Sequence, residues 1–448
     1  MTRRVLYWNI QQFGINKINQ IGRKRDHNGN RLRTPESGYR RDVIRTTLTQ
    51  NTPDIFVVVE TSTGGGAPGT LISAGGSTGS RYLLGLIRNW LGANWMLVPP
   101  VRLGLNGVTE GISVYYNSAN LEFTGPWGWQ GGGNASDSVA NIGAMNLVNY
   151  AHPWNTTLPL GNVNANSNIN ANRPFRQLAG QWQFRGPGVG MAPGQVLGFP
   201  NNFNRTPYLT TFWDNANNRT IKLMSFHASP KKNQAANGTN QLSNIQEMTA
   251  NLAANEVGVI VGDFNVDVFN THFEPIAYNN LTGAAGYTRA INPTANQWPD
   301  KGYVCTMLKS HKNARPWDTN GYSGYEYVIK DSFSSVDNIL TRYGVNAGGP
   351  AANITIANRV TGAPYNLDPN PPMGVPAGHY TYRTGMAQIP IGMANAGSPV
   401  ALPLPPNGPN GVGGYVPGNI GALSRFKGWD NFRRIRSTSD HMALIIDI

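Results

Sequence analysis

An apolar run that stops on a polar, chemically capable residue is the recurring feature of this sequence. Val259, Ile260 and Val261 read as a buried strand, a short β-branched run bounded by glycine, after which the chain continues as Gly262-Asp263-Phe264-Asn265. Gly262 lets the backbone turn sharply, so Asp263 and Asn265, two apart, can both face a site at the strand's end. A carboxylate beside a carboxamide can hold a water and a phosphate oxygen; the alternative is that Asp263 only caps a turn. The pattern repeats with Asn9 in residues 5–10, Glu60 closing 54–60, His227 closing 220–227 and Asp337 in 334–340. Asp440 and His441 stand just before the last apolar run, 442–448. Each of these residues can ligate a hard cation or hold or move a proton, and residues at sheet ends can converge on one crevice.

The elements that must position them are mostly strands. Residues 5–10, 54–60, 95–98, 112–116, 220–226, 259–261, 334–340 and 442–448 read as strands, and 39–50, 81–91 and 242–252 have helical spacing. Residues 17–45 are basic, and their first half, around Asn28-Gly29-Asn30, reads as a loop. The glycine run at 64–66 and the stretch to 80 read as a flexible loop. Two segments read as insertions: 125–172, rich in Asn, Gly and Trp, and 344–422, dense in Gly, Pro, Asn and Ala. A structureless loop as long as the second is rare in a compact domain, so small hairpins or disorder are expected there. With no internal repeat and no clean linker, residues 1–448 read as one domain carrying large insertions.

Composition narrows the class. Charged residues are only 13% against 53 glycines and 31 prolines, which points to a β-rich framework with long irregular connections. A formal net charge of +13 favours a polyanionic partner, nucleic acid or an anionic membrane surface. Cys305 is the single cysteine, so an intrachain disulfide and a multi-cysteine metal site are excluded. No apolar run approaches the ~18 residues that span a bilayer, and the N-terminal residues lack the apolar core of a signal peptide. A soluble chain, cytoplasmic or exported without a recognisable signal, and a monomer are the expectations.

Taken in order, WNIQQFG (8–14), PDIFVVVE (53–60), EGISVYYN (110–117), SFHASP (225–230), VGDFN (261–265), SVDNIL (335–340) and TSDH (438–441) resemble the motifs of the endonuclease/exonuclease/phosphatase superfamily. Within it the likeness is to deoxyribonuclease I and to the catalytic subunit of cytolethal distending toxins. Arg173-Pro174-Phe175 is similar to the arginine–proline element that those groups carry before the histidine strand. The resemblance implies an α/β (α+β) fold: a four-layer sandwich of two packed mixed β-sheets flanked by helices, here with large Gly/Asn/Pro-rich insertions. Val59 stands where the family commonly has glutamine.

The resemblance also implies metal-assisted hydrolysis of a phosphoester. Glu60 resembles the main ligand of a divalent ion, with Asn9 and Asp440 in or near its shell, and oxygen ligation of this kind suits Mg²⁺ or Mn²⁺ rather than Zn²⁺. Asp263 is similar to the residue that orients the attacking water and Asn265 to one that holds the phosphate. His441 is expected to pair with Asp337 and His227 with Glu110, each carboxylate fixing a tautomer and raising the imidazole pKa above about 6.5. His27, His152, His311 and His379 lie in loop-like sequence, and His272 is expected to stand outside the site.

For the substrate, DNA is the first expectation. It rests on the two histidines, on the net charge and on basic residues at 17–45, at Lys231 and Lys232, and at 425–436, where Phe426, Trp429 and Phe432 interleave with arginines and a lysine. Lys231, Lys232 and Arg173 are the expected phosphate contacts beside Asn265. An anionic lipid headgroup, such as a phosphoinositide, is the alternative, and a binding protein that kept the fold without activity is the third reading.

Overall fold

The chain is described by a computed structural model covering residues 1–27, 29–65, 72–98, 100, 102–103, 109–125, 205, 207–249, 252–268, 272–292, 306–308, 333–349, 352–357, 364–366, 388–395, 398–403 and 437–448. Its strands in chain order are β1 Arg4–Phe13, β2 Ile21–Arg25, β3 Arg31–Arg33, β4 Ile55–Thr61, β5 Trp95–Val98, β6 Arg102–Leu103, β7 Glu110–Asn117, β8 Leu121–Gly125, β9 Tyr208–Asp214 and β10 Arg219–His227. There follow β11 Glu256–Asp263, β12 Thr288–Arg289, β13 Met307–Leu308, β14 Phe333–Ser334, β15 Asp337–Tyr343, β16 Ala352–Ala357, β17 Pro364–Asn366, β18 Gln388–Asn395, β19 Ser398–Pro403 and β20 Ala443–Asp447. The helices used below are α1 Ile15–Asn19, α2 Pro35–Asn51, α3 Ala74–Leu91, α4 Lys232–Gln241 and α5 Glu274–Thr282. Among the described residues no helix is long and apolar enough to cross a membrane.

Two mixed sheets form the centre. The first runs β17-β16-β20-β1-β4-β7-β5 with β6 beside β7, and the second runs β12-β15-β11-β10-β9-β8. Each has one parallel pair in its middle, β1 with β4 and β10 with β11, and antiparallel neighbours elsewhere. The sheets pack face to face, β1 on β11, β4 on β10 and β15 on β20. Strands covered on both faces need apolar side chains throughout, which is why Val57, Val58, Val59, Val259, Ile260 and Val261 are all fully buried. Helices α1, α2 and α3 cover the outer face of the first sheet, with α3 on β5 and β7. On the other side α5 packs on α4, and Tyr278 of α5 meets Phe264, ring centroids 5.4 Å apart. The result is the expected four-layer sandwich.

Four local readings need revision. Helix α3 starts at Ala74, inside the stretch expected to be a flexible loop. Its glycines serve close packing: a Cβ on Gly76 would stand 1.6 Å from the Ser62 carbonyl oxygen, and one on Gly79 would stand 2.6 Å from Gly14. Residues 21–33, also expected to be loop, form the β2–β3 hairpin. The helical spacing at 242–252 corresponds to a 3-10 turn at Leu242–Asn244 and a single turn at Gln246–Thr249. Strand β16 lies within the segment read as the second insertion, yet it pairs with β20 and so extends the first sheet. Residues 126–172 lie outside the described residues.

A buried ionic cluster ties the sheets together at the end remote from the site. Asp214, at the end of β9, receives Arg3 Nε at 2.8 Å and Arg219 Nε at 3.2 Å, and Arg219 Nη2 donates to the Ile448 carbonyl at 2.9 Å. Asp214→Ala removes the carboxylate that both buried guanidiniums share. A loss of about 3–5 kcal/mol is expected, read as a lower urea midpoint at unchanged slope. A shift below about 1 kcal/mol would show the cluster to be dispensable.

Candidate active site

Strand register brings the chemistry together. In the second sheet His227 of β10 pairs with Asp263 of β11, and Asp263 pairs with Asp337 of β15. Cross-strand partners share a face, so the three side chains form one row across the sheet. The first sheet supplies Asn9 from β1, Glu60 from β4 and Glu110 from the start of β7. The turn before β20 carries Asp440 and His441. It is clamped to β1: Ser439 Oγ donates to the Asn9 carbonyl at 2.5 Å and accepts the His441 N–H at 2.9 Å, and Trp8 Nε1 donates to the His441 carbonyl at 2.7 Å.

Asp263 is the hub. Its Oδ2 accepts Asn9 Nδ2 at 3.0 Å and lies 3.4 Å from His227 Nε2 and 3.6 Å from His441 Nε2. Its Oδ1 accepts the Asn265 N–H at 2.9 Å. One oxygen of this carboxylate therefore braces a turn, and the other faces the two imidazoles. Gly262 is not the turn. It lies within β11, where a Cβ would stand 2.4 Å from the Phe226 carbonyl oxygen, so glycine is needed for close strand approach. The turn falls at Asn265, in the left-handed region with φ 51°, and its Nδ2 donates to the Ala228 carbonyl at 3.1 Å. Gln12 (φ 50°) and Glu60 (φ 58°) share that conformation. Non-glycine residues held there cost on the order of 1–3 kcal/mol each, a cost that marks the strand ends around this crevice.

Each histidine rests on a carboxylate. His227 Nδ1 lies 2.6 Å from Glu110 Oε2, and His441 Nδ1 lies 2.8 Å from Asp337 Oδ2. Both Nε2 atoms thus remain for the crevice. Burial opposes a charge on His441, but Asp337 and Asp263 outweigh it and the pKa is pushed up to about 10. Burial likewise opposes a charge on His227, and Glu110 and Asp263 again win, so its pKa is raised. Arg205 pulls the other way: its Nη1 is 2.6 Å from His227 Nε2 and 2.6 Å from the Ala228 carbonyl. A guanidinium only donates, so with Arg205 docked the His227 ring carries its proton on Nδ1, toward Glu110. Burial raises the Asp263 pKa, with Asp337 adding to it against the pull of His441 and His227.

Glu60 and Asn9 form one corner of the crevice. Asn9 Nδ2 donates to Glu60 Oε1 at 3.0 Å and the Gln12 N–H donates to Glu60 Oε2 at 3.0 Å. Burial works against the Glu60 carboxylate, yet His227, these two hydrogen bonds and His441 hold its pKa below the ordinary value, so it is ionised. Val59 is buried in the core, and Asn9 and Gln12 do the holding. Because Nδ2 of the fully buried Asn9 serves both carboxylates, its Oδ1 has no hydrogen-bond partner among the described residues. Leaving such an oxygen dry costs about 1–3 kcal/mol. An amide oxygen beside an ionised carboxylate is the donor set that a hard divalent cation takes. Two clusters have ligand atoms within 4.8 Å of one another, Glu60 with His227 and Asp263, and Asp263 with Asp337 and His441. Asp440 reaches the crevice from the other side, its Oδ1 3.9 Å from His441 Nε2. The residues fit the expected metal.

Two contributors are not legible in the sequence. Arg205 sits two residues before Pro207 at the entry to β9, a basic residue ahead of a strand, and that spacing is its only signal. Tyr7, in the middle of β1, looks like a core aromatic, but its hydroxyl donates to Asp337 Oδ1 at 3.0 Å. Burial, reinforced by Asp337, holds the Tyr7 pKa well above its usual value, so it stays a donor. Arg173 lies outside the described residues. Lys231 and Lys232 are exposed, and their ammonium groups have no partner among the described residues. His272 packs edge-on against Phe273, ring centroids 4.6 Å apart, and takes no part in the row described above.

The raised pKa of His441 makes stability depend on pH. A histidine that ionises near 6.5 when unfolded and near about 10 when folded contributes stability that is complete below pH 6.5 and lost as pH rises to about 10. In the chelated protein the melting temperature should therefore fall across that window, and Asp337→Asn should make the fall shallower. Parallel curves for the two proteins would refute the pairing's role.

No protein-family model matches the sequence, and no curated protein is significantly similar to it. Among solved structures it is similar to an endonuclease/exonuclease/phosphatase protein of Bacteroides vulgatus, at 13% identity and a TM-score of 0.40, covering 100% of this chain and 98% of the other. It is also similar to D. rerio TDP2 complexed with a single-strand DNA product (10% identity, TM-score 0.37, 100% and 98% covered). A third is a mannosyl-6-phosphatase of Bacteroides thetaiotaomicron (10% identity, TM-score 0.39, 100% and 99% covered). The structures it resembles include proteins of the superfamily that the motifs indicate. At these scores they assign neither an activity nor a substrate to this chain.

Proposed function

We propose that the chain is a metal-dependent phosphodiesterase that hydrolyses DNA endonucleolytically. One observation carries the reading: Asp263 Oδ2 stands between two imidazole Nε2 atoms, at 3.4 and 3.6 Å, with each ring held from behind by a carboxylate. A phosphodiester is anionic and repels hydroxide, so its cleavage needs neutralised phosphoryl oxygens, a proton acceptor and a proton donor.

The chain's own groups supply these parts. Asp263 Oδ2, its pKa raised by burial, orients the attacking water and takes its proton as the new P–O bond forms. His441, protonated at neutral pH, presents its Nε2–H to a non-bridging oxygen. Arg205 moves from His227 to the incoming phosphate, and Asn265 Nδ2 binds the same group. His227, freed of that guanidinium and backed by Glu110, takes up a solvent proton on Nε2, as its raised pKa favours, and passes it to the leaving oxygen as its bond to phosphorus breaks. Asn9, Glu60 and Asp440 would hold Mg²⁺ or Mn²⁺, which when bound neutralises phosphoryl charge as a Lewis acid.

The preference for DNA over a lipid headgroup rests on the +13 charge and on the two-histidine site. Supercoiled plasmid, single-stranded DNA, RNA and phosphoinositide vesicles, assayed side by side with Mg²⁺, separate the readings. Plasmid nicking is the expected result. Phosphate release from vesicles without nicking at equal enzyme concentration would favour the lipid reading, and inactivity on all four would leave a binding protein.

A further inference from the structure

We propose that the β2–β3 hairpin is an arm that grips the phosphate backbone of duplex DNA beside the cleavage site; the proposal rests on the nuclease reading above. The hairpin is ordered without burying its side chains. Its turn is closed by Asp26 N–H on the Asn30 carbonyl at 2.8 Å, Gly29 N–H on the Asp26 carbonyl at 3.0 Å and Asn30 N–H on Asp26 Oδ1 at 2.8 Å. Apart from the half-buried Gly22, every residue of the two strands is exposed. Five of the eight strand residues are basic and none is acidic.

The charge pattern has a cost that a polyanion would remove. Ile21 pairs with Arg33 and Arg25 with Arg31. Cross-strand partners share a face, so Arg25, Arg31 and Arg33 project from the same side, where like charges directly opposite one another destabilise a ribbon. Arg25 reaches the Gly29 carbonyl, whereas the side chains of Arg23, Lys24, Arg31 and Arg33 have no hydrogen-bond or ion-pair partner among the described residues. Four unpartnered cations on a two-stranded ribbon suit a polyanion, and the major groove of a duplex admits such a ribbon.

Position ties this ribbon to the chemistry. Its stem is closed by Thr34 N–H on the Gln20 carbonyl at 2.9 Å, and only α1 separates Gln20 from the end of β1, where the Gln12 N–H holds Glu60. On the other flank Arg40 Nε donates to the Ser437 carbonyl at 3.0 Å, three residues before Asp440. The hairpin thus springs from the catalytic end of the sandwich. Its tip, Asp26-His27-Asn28-Gly29-Asn30, is polar throughout, which suits a nucleic acid rather than insertion into a bilayer.

The test is binding of a fluorescent duplex oligonucleotide to protein silenced by Asp263→Asn, with and without Arg23→Gln, Lys24→Gln, Arg31→Gln and Arg33→Gln combined, between about 50 and 200 mM salt. The combined variant should bind at least about tenfold more weakly, and its log–log salt slope should shrink by about 0.9 for each phosphate that is no longer neutralised. In the otherwise unaltered enzyme the same four substitutions should leave hydrolysis of bis(p-nitrophenyl) phosphate unchanged, and Arg→Lys at the three arginines should keep the slope. Unchanged affinity and slope would overturn the proposal, as would unchanged duplex binding with lost binding to phosphatidylserine vesicles. Should the unaltered enzyme nick no plasmid while the combined variant still loses duplex affinity, the nuclease reading fails and the arm stands.

Discussion

His441→Ala is expected to lower phosphodiester cleavage by about 10²–10⁴-fold, the range that a positioned acid–base group contributes. The size follows from what the ring does in place. Its Nδ1 is committed to Asp337 at 2.8 Å, its carbonyl is held by Trp8 and its N–H by Ser439, so Nε2 has a single direction available, toward Asp263. His227→Ala should cost a similar factor, because its ring is held as firmly by Glu110 at 2.6 Å. The two serve one phosphoryl-transfer step, at the non-bridging and the leaving oxygen, so their losses should not add, and the double variant should be little slower than the worse single one. Single-turnover cleavage of a labelled duplex measures all three. Full multiplication of the two losses would mean that the histidines serve separate steps.

Glu60→Gln is the second large effect. The substitution keeps shape and removes the charge from the corner where Asn9 Oδ1 waits without a partner among the described residues. Loss of a mere supporting group typically costs 10–100-fold in metal affinity; loss of the charged ligand should raise the Mg²⁺ concentration for half-maximal rate by at least about 100-fold. The variant should therefore regain much of its rate as Mg²⁺ is raised, which a loss of acid–base chemistry would not allow. An unchanged Mg²⁺ requirement would place the ion elsewhere. The left-handed backbone at Glu60 persists in either residue, while one of the two donors, Asn9 Nδ2 or the Gln12 N–H, loses its acceptor at a cost of about 1–3 kcal/mol, and circular dichroism checks that the variant still folds.

Much of this site can be read from the chain because its residues end apolar runs. Asp263 after Val259-Ile260-Val261 and Glu60 after Val57-Val58-Val59 are conspicuous where a buried strand suddenly turns polar, and sheet geometry brings such ends together. What the sequence hides is tertiary. Tyr7 occupies a core position in β1, and only the packing of β1 against the second sheet brings its hydroxyl to Asp337. Arg205 is one arginine among many, and a spacing to proline is too common a signal to single it out. The glycines of α3 mislead because turn-making and close packing ask for the same residue. The β2–β3 hairpin is hidden for the opposite reason: with no buried face it shows no alternation of apolar and polar residues. Helix α4, KNQAANGTNQ, likewise hides behind asparagines and a glycine that usually mark loops.

Asp263, set between His227 and His441, is proposed to serve the hydrolysis of a DNA phosphodiester. The most direct test of this role compares unaltered protein with Asp263→Asn on supercoiled plasmid in Mg²⁺, with a chelated control. Conversion to open circles is expected for the unaltered protein, none in chelator, and a rate lower by at least about 10²-fold in the variant. Undiminished nicking by Asp263→Asn would contradict that role.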